Sequence, residues 1–301
     1  MKIFLIILLV LLLIIPFALG GYLVFFNLFY HKYFSRKGEF LKARNKKFLE
    51  ENKDTDKSKF DGFSEIKCLS RGVELKGKYK NNGLDKLAIL LHSFGADHGQ
   101  MWELSSYFLQ QNYDVLAIDL RAHGVSGGQC SYGLEEGEDL LAWIEHICAI
   151  NQNYKIVLYG IGVGAVASLT VLDKFPKNVK MVICESAYDS IRRELSFIIS
   201  KSKIKPPKKA FFKFLKTTKE INFKDNEIIE NVKSSSIPIL IMHDEKDEIV
   251  PIEMAYSLQE GLPSFNSQIL ILPNCEHGQG MANQPFKVKS LLEKNLKKYG
   301  L

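Results

Sequence analysis

The stretch YGIGVGA, residues 159–165, decides how this chain is interpreted. It ends a short apolar run at residues 155–159 and opens a run with helical spacing over residues 162–175. A strand that turns abruptly into a helix needs glycine on both sides of the corner, because a side chain there would clash with the turn. Gly160 and Gly164 meet that need, and the residue at the corner itself is Gly162. The stretch therefore predicts a sharp strand-to-helix corner.

Outward from this corner the chain alternates between strand and helix patterns. Residues 65–70 and 73–78 predict a short hairpin. Continuous apolar runs, typical of strands covered on both faces, occupy residues 87–92, 113–119, 155–159, 179–184, 237–243 and 268–272. Helical spacing covers residues 101–111, 134–150, 162–175, 253–260 and 286–298. This alternation predicts an α/β fold with a mostly parallel central sheet and helices on both faces. Residues 186–233 interrupt it, are helical and basic, and are interpreted as a lid insertion.

Polar motifs follow several of the predicted strands. They are HSFG at residues 92–95, DLRAHGVSGG at 119–128, HDEKDEIVP at 243–251 and CEHG at 275–278. With the corner, they resemble the α/β-hydrolase superfamily, in particular membrane-anchored bacterial members related to monoacylglycerol lipases and serine aminopeptidases. The resemblance covers roughly residues 65–299. It makes residues 64–301 one α/β-hydrolase domain.

The resemblance also implies roles for individual residues. The corner corresponds to the nucleophile elbow G-x-S-x-G, with Gly160 and Gly164 as its flanking glycines. Asp247 corresponds to the acid and His277 to the base, in the chain order nucleophile, acid, histidine. The backbone N–H groups of Phe94 and Val163 correspond to the oxyanion hole. No metal site and no cofactor are expected.

The departures from the family pattern bear on activity. Gly162 stands where the nucleophilic serine belongs, and Ser93, Ala122 and Asp244 stand where glycine is usual. Glycine has no side chain that could attack a carbonyl carbon, so an acyl-enzyme cannot form at residue 162. The first hypothesis is therefore a pseudoenzyme that binds a small acyl or lipid ligand, or a protein partner. The alternative is an active hydrolase or lyase that uses Asp247 and His277 without a serine nucleophile.

Purely structural roles for these and other polar residues stay open beside the two hypotheses. Asp247 and His277 could be remnants of an ancestral site, kept for loop packing. His92 and His123 are expected to be structural loop and turn residues, since a histidine needs a partner to do more. Cys275 is close in sequence to His277, but a free cysteine is usually a small buried hydrophobic residue.

The N-terminal segment, residues 1–30, predicts a transmembrane anchor. After Lys2 no charged residue occurs before Lys32. A membrane-spanning helix needs about 20 apolar residues, whereas the apolar region of a signal peptide covers only about 7–15. A cleaved signal peptide with its cleavage site near Gly20 is the rival interpretation, and the length of the run favours the anchor.

The flanking charges predict the topology. The predicted linker, residues 31–63, holds the basic residues Lys32, Arg36, Lys37, Lys42, Arg44, Lys46 and Lys47. The positive-inside rule places this cluster and the domain behind it in the cytoplasm, on the inner side of a single-pass cell-membrane protein. The five cysteines show no CxxC spacing, which suits a reducing compartment. Since only Lys2 precedes the helix, the opposite orientation stays possible.

Charge elsewhere in the chain gives one further expectation. The net charge of +6 comes without any DNA-binding motif, so no nucleic-acid partner is predicted. Residues 201–219 contain eight lysines, no acidic residue and several phenylalanines. This segment is either a solvated lid face with its apolar side on the core, or a helix that rests on an anionic membrane.

Overall fold

A central sheet of eight strands organises the domain. The structure is a computed structural model that describes residues 2–35, 57–224, 227–263 and 267–301, with the backbone alone for residues 2–13, 16, 57, 58, 227, 267 and 268. The strands are β1 (Ser64–Ser70), β2 (Val73–Lys80), β3 (Lys86–Leu91), β4 (Asp114–Asp119), β5 (Lys155–Ile161), β6 (Val179–Glu185), β7 (Ile239–Asp244) and β8 (Ser267–Leu272). Their order is β1-β2-β4-β3-β5-β6-β7-β8. β1 and β2 form the predicted hairpin and pair antiparallel. β2 pairs antiparallel with β4, and β3 to β8 all run parallel to one another.

Helices cover both faces of the sheet, as the alternating pattern predicts. They are α1 (Lys2–Tyr33), α2 (Trp102–Gln110), α3 (Leu134–Ile150), α4 (Val163–Thr170), α5 (Ile191–Lys201), α6 (Lys208–Thr218), α7 (Glu227–Ser234), α8 (Ile252–Gly261), α9 (Gly280–Asn283) and α10 (Pro285–Lys298). Helices α2 and α10 cover one face, and α3, α4 and α8 the other. Side chains of β3 alternate between these two layers, because successive residues of a strand point to opposite faces.

The parallel strands bring their carboxyl ends to one edge of the sheet. Ligands bind at this edge in α/β folds, close to the point where the strand order reverses. Here the chain proceeds from β3 outward to β4 and then returns to β5 on the other side of β3. The loops after β3, β5, β7 and β8, which carry the predicted site residues, all lie at this edge.

The lid insertion contains α5 and α6, and α7 has a different position. The Asn231 side chain of α7 donates hydrogen bonds to the carbonyls of Leu169 and Thr170 at the end of α4. The last part of the predicted insertion 186–233 is therefore a helix of the layer that covers the sheet.

The N-terminal helix packs on the lid with part of its surface. Phe26 and Phe29 are buried against Phe211 and Phe214 of α6, with ring centroids 5.3–5.8 Å apart. The Tyr22 hydroxyl donates to the carbonyl of Ala210 over 2.9 Å. The apolar side of α6 therefore faces α1, and the lysines of α6 are exposed.

The end of α1 differs from the predicted boundary at residue 30. The helix continues to Tyr33, and Phe34 behind it is buried in the domain core. The Tyr132 hydroxyl donates to the Phe34 carbonyl over 2.6 Å. Most of the predicted linker lies outside the described residues. In the part of the chain that the structure describes, we find no helix with both the length and the apolar character needed to cross a membrane.

Candidate active site

The strand-to-helix corner has the geometry expected of an elbow. Gly162 lies between β5 and α4 with φ +53° and ψ −115°, a conformation that L-residues rarely adopt. A Cβ on Gly160 would lie 2.4 Å from the backbone of Gly164 and Ala165, and one on Gly164 would lie 2.5 Å from the Leu91 carbonyl oxygen. Both flanking glycines are therefore required by close backbone contacts.

His277 and Asp247 form a hydrogen-bonded pair at this corner. The His277 Nδ1 lies 2.7 Å from the Asp247 Oδ2, and the side chains are 9% and 1% exposed. The second carboxylate oxygen accepts from the backbone N–H groups of Ile249 and Val250, each over 2.8 Å. Burial by itself would raise the pKa of Asp247, but the adjacent imidazole and these hydrogen bonds hold that pKa below its ordinary value. Asp247 is therefore a carboxylate that orients the ring and leaves Nε2 facing the corner.

The imidazole occupies part of the space that a serine would need. A Cβ built on Gly162 would lie 2.8 Å from the His277 Nε2 and 3.1 Å from its Cε1. These distances are shorter than an ordinary van der Waals contact of about 3.5 Å. A side chain at residue 162 would therefore displace the ring from its present position.

The loop after β3 carries the first of the two oxyanion-hole candidates. Leu120 N–H donates to the His92 Nε2, so the proton of this ring lies on Nδ1, which donates to the Ser93 carbonyl over 2.7 Å. The Ser93 N–H donates to the Gln100 Oε1 over 2.7 Å. These bonds fix the backbone that presents the Phe94 N–H, and they give His92 the structural place expected of it.

The second candidate is the N–H of Val163, the first residue of α4. The first N–H groups of a helix have no carbonyl one turn earlier to bond. Among the described residues, neither this N–H nor that of Phe94 donates a hydrogen bond. Both can therefore donate a hydrogen bond to a ligand oxygen.

A small apolar cavity joins these groups. Its volume is about 40 Å³, and Phe94, Gly162, Val163 and His277 line one side of it. The remaining wall consists of Tyr132, Tyr188, Glu194, Ile198, Ile249 and Val250. Its volume and lining suit the first carbons of an acyl chain.

A pair of buried acids behind His277 was not predicted from the sequence. Glu185 ends β6 and accepts from the Tyr159 hydroxyl over 2.6 Å and the Gly280 N–H over 2.9 Å. Asp244 ends β7 and accepts from the Ser186 hydroxyl and the Gly278 N–H over 2.9 and 2.8 Å. The two acids thus tether the loop that follows His277. Their position at the ends of adjacent strands was the signal available in the sequence.

Burial raises the pKa of both acids. Desolvation is the main cause, and for Asp244 the nearby Glu185 and Asp247 add to it and bring the pKa to about 9. The pKa of Glu185 also lies above its ordinary value, chiefly because of burial. Asp244, which stands where the family usually has glycine, is therefore a largely neutral acid at pH 7.

Two cysteines near the ends of β6 and β8 lie apart from the cavity. Cys184 and Cys275 are fully buried, and burial raises the pKa of the Cys275 thiol to about 12. Neither lines the cavity with His277. The described residues contain no group of three or more His, Cys, Asp or Glu side chains that could hold a metal ion.

This architecture, with its elbow after β5 and its acid and histidine after β7 and β8, is the α/β-hydrolase fold. Comparison with known proteins supports that statement. The family model of the serine aminopeptidases, S33, matches residues 84–223. Pyrococcus furiosus esterase Pf2001 superposes with a TM-score of 0.67 at 22% identity, covering 81% of this chain and 95% of that one. The esterase domain of a Rhodothermus marinus protein superposes with a TM-score of 0.58 at 20% identity, covering 79% and 98%.

Curated relatives are similar over shorter stretches. The uncharacterized membrane protein YNL320W of Saccharomyces cerevisiae is 29% identical over 174 residues, or 57% of each chain. The uncharacterized protein YfhR of Escherichia coli is 23% identical over 197 residues, 64% of this chain and 63% of that one. The match thus spans about three-fifths of the length of these relatives.

Proposed function

We propose that this is a membrane-anchored α/β-hydrolase-fold protein that binds an acyl ligand and cannot form an acyl-enzyme at residue 162. The observation that carries the proposal is the corner itself, where a glycine leaves no hydroxyl and the imidazole lies 2.8 Å from where Cβ would stand. Removing the nucleophile of a serine hydrolase typically lowers turnover by about 10⁶-fold. The elbow conformation and the aspartate–histidine pair are nevertheless retained.

The chemistry of the cavity suggests the ligand. An oxygen of a carbonyl or carboxylate fits between the N–H groups of Phe94 and Val163, and a short apolar chain fits against Ile198 and Tyr188. A cavity of about 40 Å³ favours short acyl groups over long ones. The lid helix α5 supplies Ile198, so the lid sets the depth of the site.

A second candidate function is hydrolysis or elimination with the Asp247–His277 pair as general base. The 2.7 Å hydrogen bond between them favours it, because it orients the ring with Nε2 toward the cavity. In this scheme His277 removes a proton from a water molecule or from the ligand. General-base catalysis of this kind contributes about 10²–10⁴-fold, so turnover would be slow.

Membrane anchoring is proposed for the apolar segment at the start of α1. It is supported by the uncharged run between Lys2 and Lys32 and by the similarity to YNL320W of yeast, which is named a membrane protein. The basic residues after it favour a cytoplasmic domain. In sealed, right-side-out vesicles a cytoplasmic domain should be protected from added protease and be cleaved only after detergent is added. Cleavage without detergent would indicate the opposite orientation.

Ligand binding can be tested by calorimetric titration with butyrate, whose carboxylate and short chain match the site. We expect the Ile198→Phe variant, which fills the cavity, to bind at least about tenfold more weakly, or ~1.4 kcal/mol. Ile204→Phe, on an exposed position of the same lid, serves as the matched control. If wild type does not bind butyrate, or if both variants bind it equally, the cavity is not the site.

The two candidate functions separate in a turnover assay on p-nitrophenyl butyrate. Slow hydrolysis that disappears in His277→Ala would favour the general-base function. Binding of butyrate without any turnover that depends on His277 would favour the ligand-binding function.

A further inference from the structure

The side chain of a serine, Ser93, lies beside the corner. A Cβ built on Gly162 would lie 3.5 Å from the Cβ of Ser93 and 2.8 Å from the His277 Nε2. The Ser93 side chain and the imidazole therefore border the same space, the one that an elbow serine would fill. Ser93 is also one of the positions where the resembling family usually has glycine. This chain thus lacks a hydroxyl at the corner and carries a serine beside it.

The backbone of Ser93 is held on both sides. Its N–H donates to Gln100, and its carbonyl accepts from His92 and from the N–H of Ala96. The Ser93 hydroxyl makes no hydrogen bond to the described part of the chain. The hydroxyl can therefore rotate about the Cα–Cβ bond between staggered positions without breaking a hydrogen bond.

We propose that Ser93 is the acyl acceptor of this site, taking the place of the missing elbow serine. The proposal rests on acyl binding in the cavity. The Ser93 Oγ attacks the carbonyl carbon of a bound ester, and its proton passes to the His277 Nε2. The carbonyl oxygen becomes an oxyanion between the N–H groups of Phe94 and Val163.

The intermediate then collapses with balanced charges and atoms. The bond from the carbonyl carbon to the alcohol oxygen breaks, and His277 returns its proton to the leaving alkoxide. The products are a free alcohol and Ser93 acylated at Oγ. A water molecule, deprotonated by His277, attacks the acyl group and releases a carboxylic acid and the Ser93 hydroxyl. Asp247 stabilises the imidazolium in both halves, as the 2.7 Å hydrogen bond allows.

The test is covalent labelling of the full-length chain in detergent with a fluorophosphonate, followed by peptide mapping. We expect one label, on Ser93. Ser93→Ala and His277→Ala should lower the labelling rate by at least about 10³-fold, as loss of a nucleophile or its base does. Ser106→Ala, on the far helix α2, is the matched control and should label like wild type.

Three results would overturn the proposal. They are an unlabelled wild type, a label on another residue, and wild-type labelling of Ser93→Ala. Ser93→Gly restores the usual family residue, so a loss of label in both variants with an unchanged melting temperature excludes misfolding as the cause. Butyrate titration on the same samples separates the two proposals. Binding without label removes only the role of Ser93, whereas absence of both removes acyl binding as well.

Discussion

Restoring a serine at the corner is the most informative perturbation of this protein. The Gly162→Ser variant places a side chain at φ +53°, which costs about 1–3 kcal/mol in a non-glycine residue. Its Cβ would start 2.8 Å from the His277 Nε2. The ring must therefore retreat by roughly 0.5–1 Å to reach an ordinary van der Waals contact. We expect the free energy of unfolding to fall by about 1–3 kcal/mol, with a matching decrease in the melting temperature.

The expected gain in activity follows from two opposing effects. Loss of a nucleophile costs about 10⁶-fold in turnover, so its return could recover that factor. A misplacement of about 1 Å can cost about 10²-fold. In the Ser93→Ala background, which removes the acyl acceptor proposed above, the net expectation is an increase on the order of 10⁴-fold in kcat for p-nitrophenyl butyrate. The release of p-nitrophenolate measures this increase directly.

The matched control is Gly162→Ala, which introduces the same strain and the same contact with His277 without a hydroxyl. It should lose as much stability and gain no activity. If both variants fold and Gly162→Ser hydrolyses the ester no faster than Gly162→Ala, the reasoning fails. The oxyanion amides or the aspartate–histidine pair would then be unable to support acyl transfer, whatever occupies the corner.

Three further predictions concern stability. Burial raises the pKa of Asp244 to about 9 in the folded protein, whereas in the unfolded chain this carboxyl loses its proton near pH 4. The contribution of Asp244 to the free energy of unfolding therefore decreases as the pH rises between those two values, by up to about 1.4 kcal/mol per pH unit. Asp244→Asn should flatten that slope in urea titrations at pH 5 and 8, and an unchanged slope would assign it to other groups. Arg121→Lys should cost about 1–3 kcal/mol, because the guanidinium makes a two-point contact with the buried Asp139 carboxylate; a denaturation midpoint equal to that of wild type would contradict this. Phe211→Ala should cost about 3–5 kcal/mol in a chain that retains α1, and a smaller loss in a chain without α1 would locate part of the cost in the contact between them.

The succession of strands and helices along the chain and the position of the corner followed from the sequence alone. A strand covered on both faces must be apolar throughout, so β3 to β7 appear as short continuous runs. The glycines at residues 160 and 164 indicated the corner in advance. The structure gives the reason, since a Cβ at either position would lie 2.5 Å or less from backbone atoms. The pairing of Asp247 with His277 was expected from the family order, and the structure places the two side chains in contact.

What only the tertiary structure decided is where side chains distant in sequence meet. The closeness of His277 to the corner, the side chain of Ser93 beside it and the acids Glu185 and Asp244 behind it depend on distances of a few ångströms between loops. The contact of α1 with the lid is of the same kind, since Phe26 and Phe211 are separated by most of the chain. Local patterns specify which element a residue joins and which face it occupies. Contacts between elements arise only when the whole domain packs, so a local sequence pattern does not specify them.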